Sequence, residues 1–165
     1  MTWFAATARH TVETDSDQDG HPDTRNTFVS DSLVESEMDR NLDGRMDSKA
    51  RFRNDVAVSD RQDNNFDGVY ETIVYYDRGF WTHDESDADG DGVLDYRNQA
   101  RHGVLYSSEW LNPSGNVVKR LVYDGLTSAD GEIDTNGDGI LDTRRRYSRL
   151  QEVIDEQPLR MTPAQ

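Results

Sequence analysis

The chain has 165 residues, 33% of them hydrophobic, and a net charge of −15; it lies near the border where buried apolar surface no longer offsets chain entropy. It has no cysteine, which excludes disulfides, thiol nucleophiles and zinc–thiolate sites. The acidic balance repels phosphate and argues against nucleic acid as a partner, and no run is long and apolar enough to be a membrane span.

The opening Met1-Thr-Trp-Phe4 carries no signal-peptide pattern, so the compartment has to be read from the chemistry further on. From there the chain repeats. Units begin at Asp15, Asp39, Asp63, Asp87, Trp110 and Asp134, at spacings of 24, 24, 24, 23 and 24 residues. Position 6 of each unit is a glycine: Gly20, Gly44, Gly68, Gly92, Gly115 and Gly139. Position 14 is Phe28, Phe52, Tyr76, Ala100, Tyr123 and Tyr147, aromatic in five of six. Such a column predicts equivalent strands stacked on one continuous core. One step back from Phe28 falls on Phe4, so Trp3 to Glu13 reads as the second half of a further unit.

Inside a unit, the loop leads into a run rich in β-branched and aromatic residues, such as Gly68–Tyr76 or Val117–Tyr123. A turn follows, as at Asp77-Arg-Gly79, Arg101-His-Gly103 and Asp124-Gly125, and then a second run, as at Phe80–Thr82 or Val104–Tyr106. Each unit therefore reads as a β-hairpin, with the loops joining successive hairpins. The predicted fold is all-β: about six and a half 24-residue hairpin repeats, as a curved antiparallel sheet, a barrel or a propeller-like array. One repeat domain covers residues 1–157 and a flexible tail covers 158–165. Leu150, Val153 and Ile154 have helical spacing where a second strand is due, which admits either a strand or a short C-terminal helix.

Five loops alternate oxygen-bearing side chains. Positions 1, 3 and 5 are Asp15, Asp17 and Asp19; Asp39, Asn41 and Asp43; Asp63, Asn65 and Asp67; Asp87, Asp89 and Asp91; Asp134, Asn136 and Asp138. Position 7, expected to offer only its carbonyl, is His21, Arg45, Val69, Val93 or Ile140; position 9 is Asp23, Asp47, Glu71, Asp95 or Asp142. The loops hold 17 of the 33 acidic residues. Several oxygens converging from a short loop that turns at glycine suit a hard divalent cation, and so many carboxylates favour calcium over magnesium. Five such ions would bring the net charge from −15 to −5. The unit at Trp110 reads Trp-Leu-Asn-Pro-Ser-Gly, lacks the acids and is expected to bind no metal.

The first six positions resemble the calcium loop of EF-hands, but the bidentate Glu expected at position 12 is replaced by Asn26, Ala50, Val74, Asn98 and Arg145. The acid at position 9 instead resembles the D-x-D-x-D-G-x-x-D loops of thrombospondin type 3 repeats and of FG-GAP repeats, which in the latter are flanked by strands. Tyr75-Tyr-Asp-Arg-Gly79 and Val122-Tyr-Asp-Gly125 are similar to the YD repeats of bacterial exported proteins, which build antiparallel hairpins. These resemblances imply a calcium-stabilised structural or interaction module of an exported protein, holding up to five calcium ions and meeting another protein or a glycan in adhesion. They place it outside the cell, at the cell surface or in the periplasm, where calcium is abundant. No catalytic residues are expected. His10, His21, His83 and His102 lack a Ser or Cys partner in a recognisable motif. The alternative is a calcium-dependent carbohydrate-binding or glycan-hydrolysing domain using Trp81, Trp110 and the acids.

Overall fold

The computed structural model describes residues 8–125, 127–150 and 152–159. Among them every regular element is a strand: β1 Arg9–Thr14, β2 Thr24–Val29, β3 Ser32–Met38, β4 Ser48–Arg53, β5 Val56–Gln62, β6 Thr72–Asp77, β7 Phe80–Ser86, β8 Tyr96–Arg101, β9 Val104–Leu111, β10 Val117–Asp124, β11 Thr127–Ile133, β12 Thr143–Tyr147 and β13 Val153–Pro158. The strands form one antiparallel sheet whose order is the order of the chain. Each full unit of the repeat is one hairpin. β1 is the second strand of the leading half unit, and Phe4 lies outside the described residues.

Two expectations are corrected. A barrel needs its first and last strands to pair, and a propeller needs the sheet broken into blades. Here the order runs from β1 to β13 without closing, so the sheet is open. Among the described residues there is no C-terminal helix either. The Ser148 hydroxyl accepts the amides of Leu150 and Glu152, and Ser148 N–H bonds the Glu152 carbonyl, which turns the chain back. β13 then pairs with β12, with Arg145 on Glu156 at 2.6 Å; a helix there would leave the β12 ladder unpaired. No helix among the described residues is long and apolar enough to cross a membrane.

The chain divides into two compact units, Met1–Phe80 and Trp81–Gln165. In neither is a hydrophobic side chain buried among the described residues; the buried side chains are Asp23, Thr27, Asp39, Asp47, Asp63, Ser107 and Ser108. The aromatic column is only half-buried and closes no core.

Beside the backbone ladders, charge in register links the strands laterally. In the first unit Glu13, Arg25, Glu37 and Lys49 face one another across β1 to β4. Arg25 reaches Glu13 at 2.7 Å and Glu37 at 3.5 Å, and Lys49 reaches both Glu35 and Glu37 at 3.0 Å. In the second unit Glu109, Arg120, Glu132 and Arg144 repeat the alternation, with Arg120 at 2.8 Å from Glu109 and 3.0 Å from Glu132. Each exposed pair contributes at most about 1 kcal/mol, but a shared network needs less ordering per contact than isolated pairs. The Glu109 and Glu132 carboxylates raise the Arg120 pKa above its ordinary value.

The returning strand of the hairpins carries one extra residue just past the aromatic position. Val34, Val58, Tyr106, Ala129 and Ile154 are skipped in the pairing of their strands. Such bulges increase local twist. Tight turns with both central residues at positive φ close the hairpins at Ser30-Asp31 (51° and 65°) and Asn54-Asp55 (52° and 59°). Asn-Gly suits that backbone best. Replacing Ser30-Asp31 by Asn-Gly is therefore expected to stabilise by about 1 kcal/mol, a rise of roughly 2–4 °C in Tm measurable by thermal denaturation.

The second unit has a buried polar node at Ser108, which is 0% exposed. Its hydroxyl accepts from Tyr96 (3.1 Å) and Tyr123 (3.0 Å) and donates to Asn98 Oδ1 (2.6 Å), while Asn98 Nδ2 donates to Asp84 (3.0 Å). Desolvation raises the Asp84 pKa above 3.8, against the Asn98 hydrogen bond and the neighbouring His83. The folded state thus holds this proton more tightly than the unfolded chain, and ionised Asp84 costs stability at neutral pH. Asp84→Asn is expected to raise Tm at pH 7, with the gain shrinking as pH falls through the raised pKa and gone below 3.8.

Candidate metal-binding loops

The five acidic loops share one hydrogen-bonding plan. The position 1 carboxylate accepts the amide of position 4 on Oδ1 and that of the position 6 glycine on Oδ2. For Asp63 these are Phe66 N–H at 2.7 Å and Gly68 N–H at 2.8 Å. The same pair of bonds is made by Asp15, Asp39, Asp87 and Asp134. To present those amides inward, positions 4 and 6 both take positive φ, as at Phe66 (63°) and Gly68 (95°). Glycine at position 6 is the residue that does so without strain.

The next side chains continue the pattern. Position 3 accepts the amide of position 5, and position 5 accepts the amide of position 7, as in Asp67 N–H to Asn65 Oδ1 (2.9 Å) and Val69 N–H to Asp67 Oδ1 (2.8 Å). Position 9 reaches back to the amide of position 2: Asp23 to Ser16 (2.6 Å), Asp47 to Arg40, Glu71 to Asn64 and Asp95 to Ala88 (each 2.7 Å), and Asp142 to Thr135 (3.2 Å). The acid at position 9 therefore closes the loop on itself. Its backbone carbonyl also accepts the first amide of the next loop, Asp39 N–H on Asp23 and Asp63 N–H on Asp47, each at 2.8 Å. Neighbouring loops are tied together at the main chain. The position 7 side chains His21, Arg45, Val69, Val93 and Ile140 are all exposed, in keeping with a position that acts through its backbone.

Three loops bring three carboxylates within 4.8 Å of one another: Asp15, Asp17 and Asp19; Asp63, Asp67 and Glu71; Asp87, Asp89 and Asp91. Such a set of hard, anionic oxygens suits a hard divalent cation. In the loop from Asp63 the fit is sharpest, because Glu71 Oε1 is shut off from solvent with no hydrogen-bond partner. In the loops from Asp39 and Asp134 no three carboxylates converge among the described residues. There the closing acid is held by its own loop: Asp47 by the Arg40 guanidinium, Asp142 by the Thr135 hydroxyl at 2.8 and 3.0 Å.

The electrostatics differ from loop to loop with the balance of amide donors and neighbouring carboxylates. The Asp19 amide pulls the Asp17 pKa down, but desolvation and repulsion from Asp19, Asp23 and Asp15 outweigh it and the pKa rises above 3.8. Amide donors, led by Gly92, hold Asp87 below 3.8, and the Thr143 and Thr135 hydroxyls do the same for Asp142.

The unit at Trp110 folds differently, as its sequence implies. Asn112 closes a small turn, its carbonyl accepting Gly115 N–H and its side chain accepting Ser114 and Asn116 N–H, without a carboxylate. Position 12 lies within a strand in every acidic unit, at Asn26, Ala50, Val74, Asn98 and Arg145, and Asn98 is committed to Asp84 and Ser108. The Lys119 ammonium lies 4.2 Å from the Trp110 ring centre and the Tyr96 ring 4.9 Å from it.

Two columns escaped the sequence reading. Position 11 is basic in Arg25, Lys49, Arg97, Arg120 and Arg144, and position 23 is acidic in Glu37, Glu85, Glu109 and Glu132. The period alone could have exposed both. No family model and no curated protein matches this chain. A crystal structure of accessory secretory protein 1, 2 and 3 of Streptococcus pneumoniae is similar over 62% of this chain, with 15% identity and a TM-score of 0.42. The match spans 20% of that chain.

Proposed function

We propose that this chain is a calcium-binding repeat module, stabilised by its ions and serving as a structural or interaction element of an exported protein. The observation that carries the reading is Glu71, whose Oε1 is buried and unpartnered in a loop where its carboxylate meets those of Asp63 and Asp67. A buried carboxylate oxygen without a donor is costly unless a cation completes it. Residues 15, 17 and 19 and residues 87, 89 and 91 supply two comparable clusters. Calcium is favoured over magnesium because it accepts about six to eight oxygens in a pliable shell, whereas magnesium demands a rigid octahedron and retains water.

The reading also answers an energetic question. Without a buried hydrophobic side chain among the described residues, the sheet has backbone ladders and surface ion pairs to hold it, and its loops concentrate negative charge. Bound cations remove that repulsion and add stability in proportion to their binding. The array repeats equivalent positions from unit to unit, which supports a structural or interaction role over catalysis. A place outside the cell suits it, since extracellular calcium loads modules with dissociation constants as weak as about 10⁻⁴–10⁻³ M.

Calorimetric titration of the chelated full chain with calcium, and separately with magnesium, tests the proposal. Calcium is expected to saturate at three equivalents or more and to bind more tightly than magnesium. Fewer than three equivalents, or equal affinity for both ions, would overturn it.

A further inference from the structure

The loop that starts at Asp39 differs from the other four in carrying a basic residue at position 2, where Ser16, Asn64, Ala88 and Thr135 stand elsewhere. Arg40 does not extend into solvent. Its Nε donates to the Asp47 carboxylate, which is 3% exposed and also accepts the Arg40 amide at 2.7 Å. Its Nη2 donates to the backbone carbonyl of Asp63 at 2.5 Å, and its Nη1 lies 3.5 Å from Asn64 Oδ1. The guanidinium carbon stands 5.5 Å from the centre of the Phe66 ring. One side chain thus neutralises the closing acid of its own loop and grips the backbone and an aromatic residue of the next.

We infer that Arg40 is the resident cation of the loop from Asp39, doing there by a covalently attached charge what a divalent ion does in its neighbours, and clamping that loop to the one from Asp63. The contrast with the neighbouring loops rests on the calcium reading, but the clamp does not. Asp47, almost wholly buried, requires a partner charge at all times. A planar guanidinium can serve carboxylate, carbonyl and ring together, which an ammonium cannot. The consequence is an array in which one joint stays ordered when calcium is withdrawn, so that the loops from Asp39 and Asp63 keep their relative register between calcium-loaded and calcium-depleted states. In the loop from Asp63, where position 2 is Asn64, the closing Glu71 joins the carboxylate cluster, whereas Asp47 is taken by Arg40 and Asp142 by Thr135 and neither of their loops gathers three carboxylates among the described residues.

The test is residue-resolved hydrogen exchange on the full chain at low temperature, with calcium and after chelation. In the wild type, the amides of Leu42 and Gly44, bonded to Asp39, should keep their protection after chelation. Those of Gln18, Gly20, Gly90 and Gly92 should lose about tenfold or more. Arg40→Gln and, independently, Asp47→Asn should remove the protection of Leu42 and Gly44 in the chelated state. Loss of Leu42 and Gly44 protection on chelating the wild type overturns the inference, as does its survival in both variants. If calcium changes no loop in any protein, the calcium reading fails, while the comparison of wild type with the two variants still decides the role of Arg40.

Discussion

Removing divalent cations is expected to lower the melting temperature by on the order of 15–30 °C. An ion that binds the folded form alone contributes RT ln(1 + [L]/Kd), about 2.7 kcal/mol per site at a hundredfold excess over Kd. Three loops with converging carboxylates give about 8 kcal/mol, comparable to the whole stability of many domains. In a chain of this size each kcal/mol moves Tm by roughly 2–4 °C. The fall should be steep here because no buried hydrophobic side chain among the described residues stands in reserve. Differential scanning calorimetry in calcium and in chelator gives the answer directly, and superimposable transitions would refute the coupling.

The largest effect of a single substitution is expected at Asp63, which is 4% exposed and accepts three backbone amides, from Phe66, Asp67 and Gly68. Asp63→Ala leaves those donors without an acceptor in a loop whose backbone is already held at positive φ. At roughly 1–2 kcal/mol for each of these three donors, which lie in an exposed loop, the cost is about 3–6 kcal/mol, in chelator as well as in calcium. Glu71→Gln is the informative partner. It preserves an acceptor for the Asn64 amide, keeps the size and removes a buried charge beside Asp63 and Asp67, so its metal-free stability should equal or exceed that of the wild type. In calcium it should lose the stabilisation of one site. Denaturant unfolding of both variants, with and without calcium, separates a loop that merely folds from a loop that binds. A calcium-dependent gain in Glu71→Gln as large as that of the wild type would count against a cation at this site.

Much of this architecture was legible in the sequence because its period is short and its punctuation is rigid. The glycine at position 6 is needed for a positive φ, and the acid at position 9 closes each loop, so both columns keep register in all five acidic loops. Hairpins followed from the β-branched and aromatic runs. What the sequence left open were properties of the assembled sheet. The aromatic column suggested a core, but it stays half-buried. The spacing of Leu150, Val153 and Ile154 fits a helix as well as a strand, and the β12 ladder decided for the strand. The Glu–Arg alternation from Glu13 to Lys49 becomes visible as a network once the register places residues 12 positions apart beside each other. Nothing local to Arg40 announces that it reaches 23 residues onward to the Asp63 carbonyl.

The most direct test of the account is anomalous diffraction from crystals grown in calcium and then exchanged with a lanthanide. Full-occupancy peaks are predicted among the carboxylates of Asp15, Asp17 and Asp19, of Asp63, Asp67 and Glu71, and of Asp87, Asp89 and Asp91, with none in the turn at Asn112. Ordered loops free of anomalous density at those three places would contradict it.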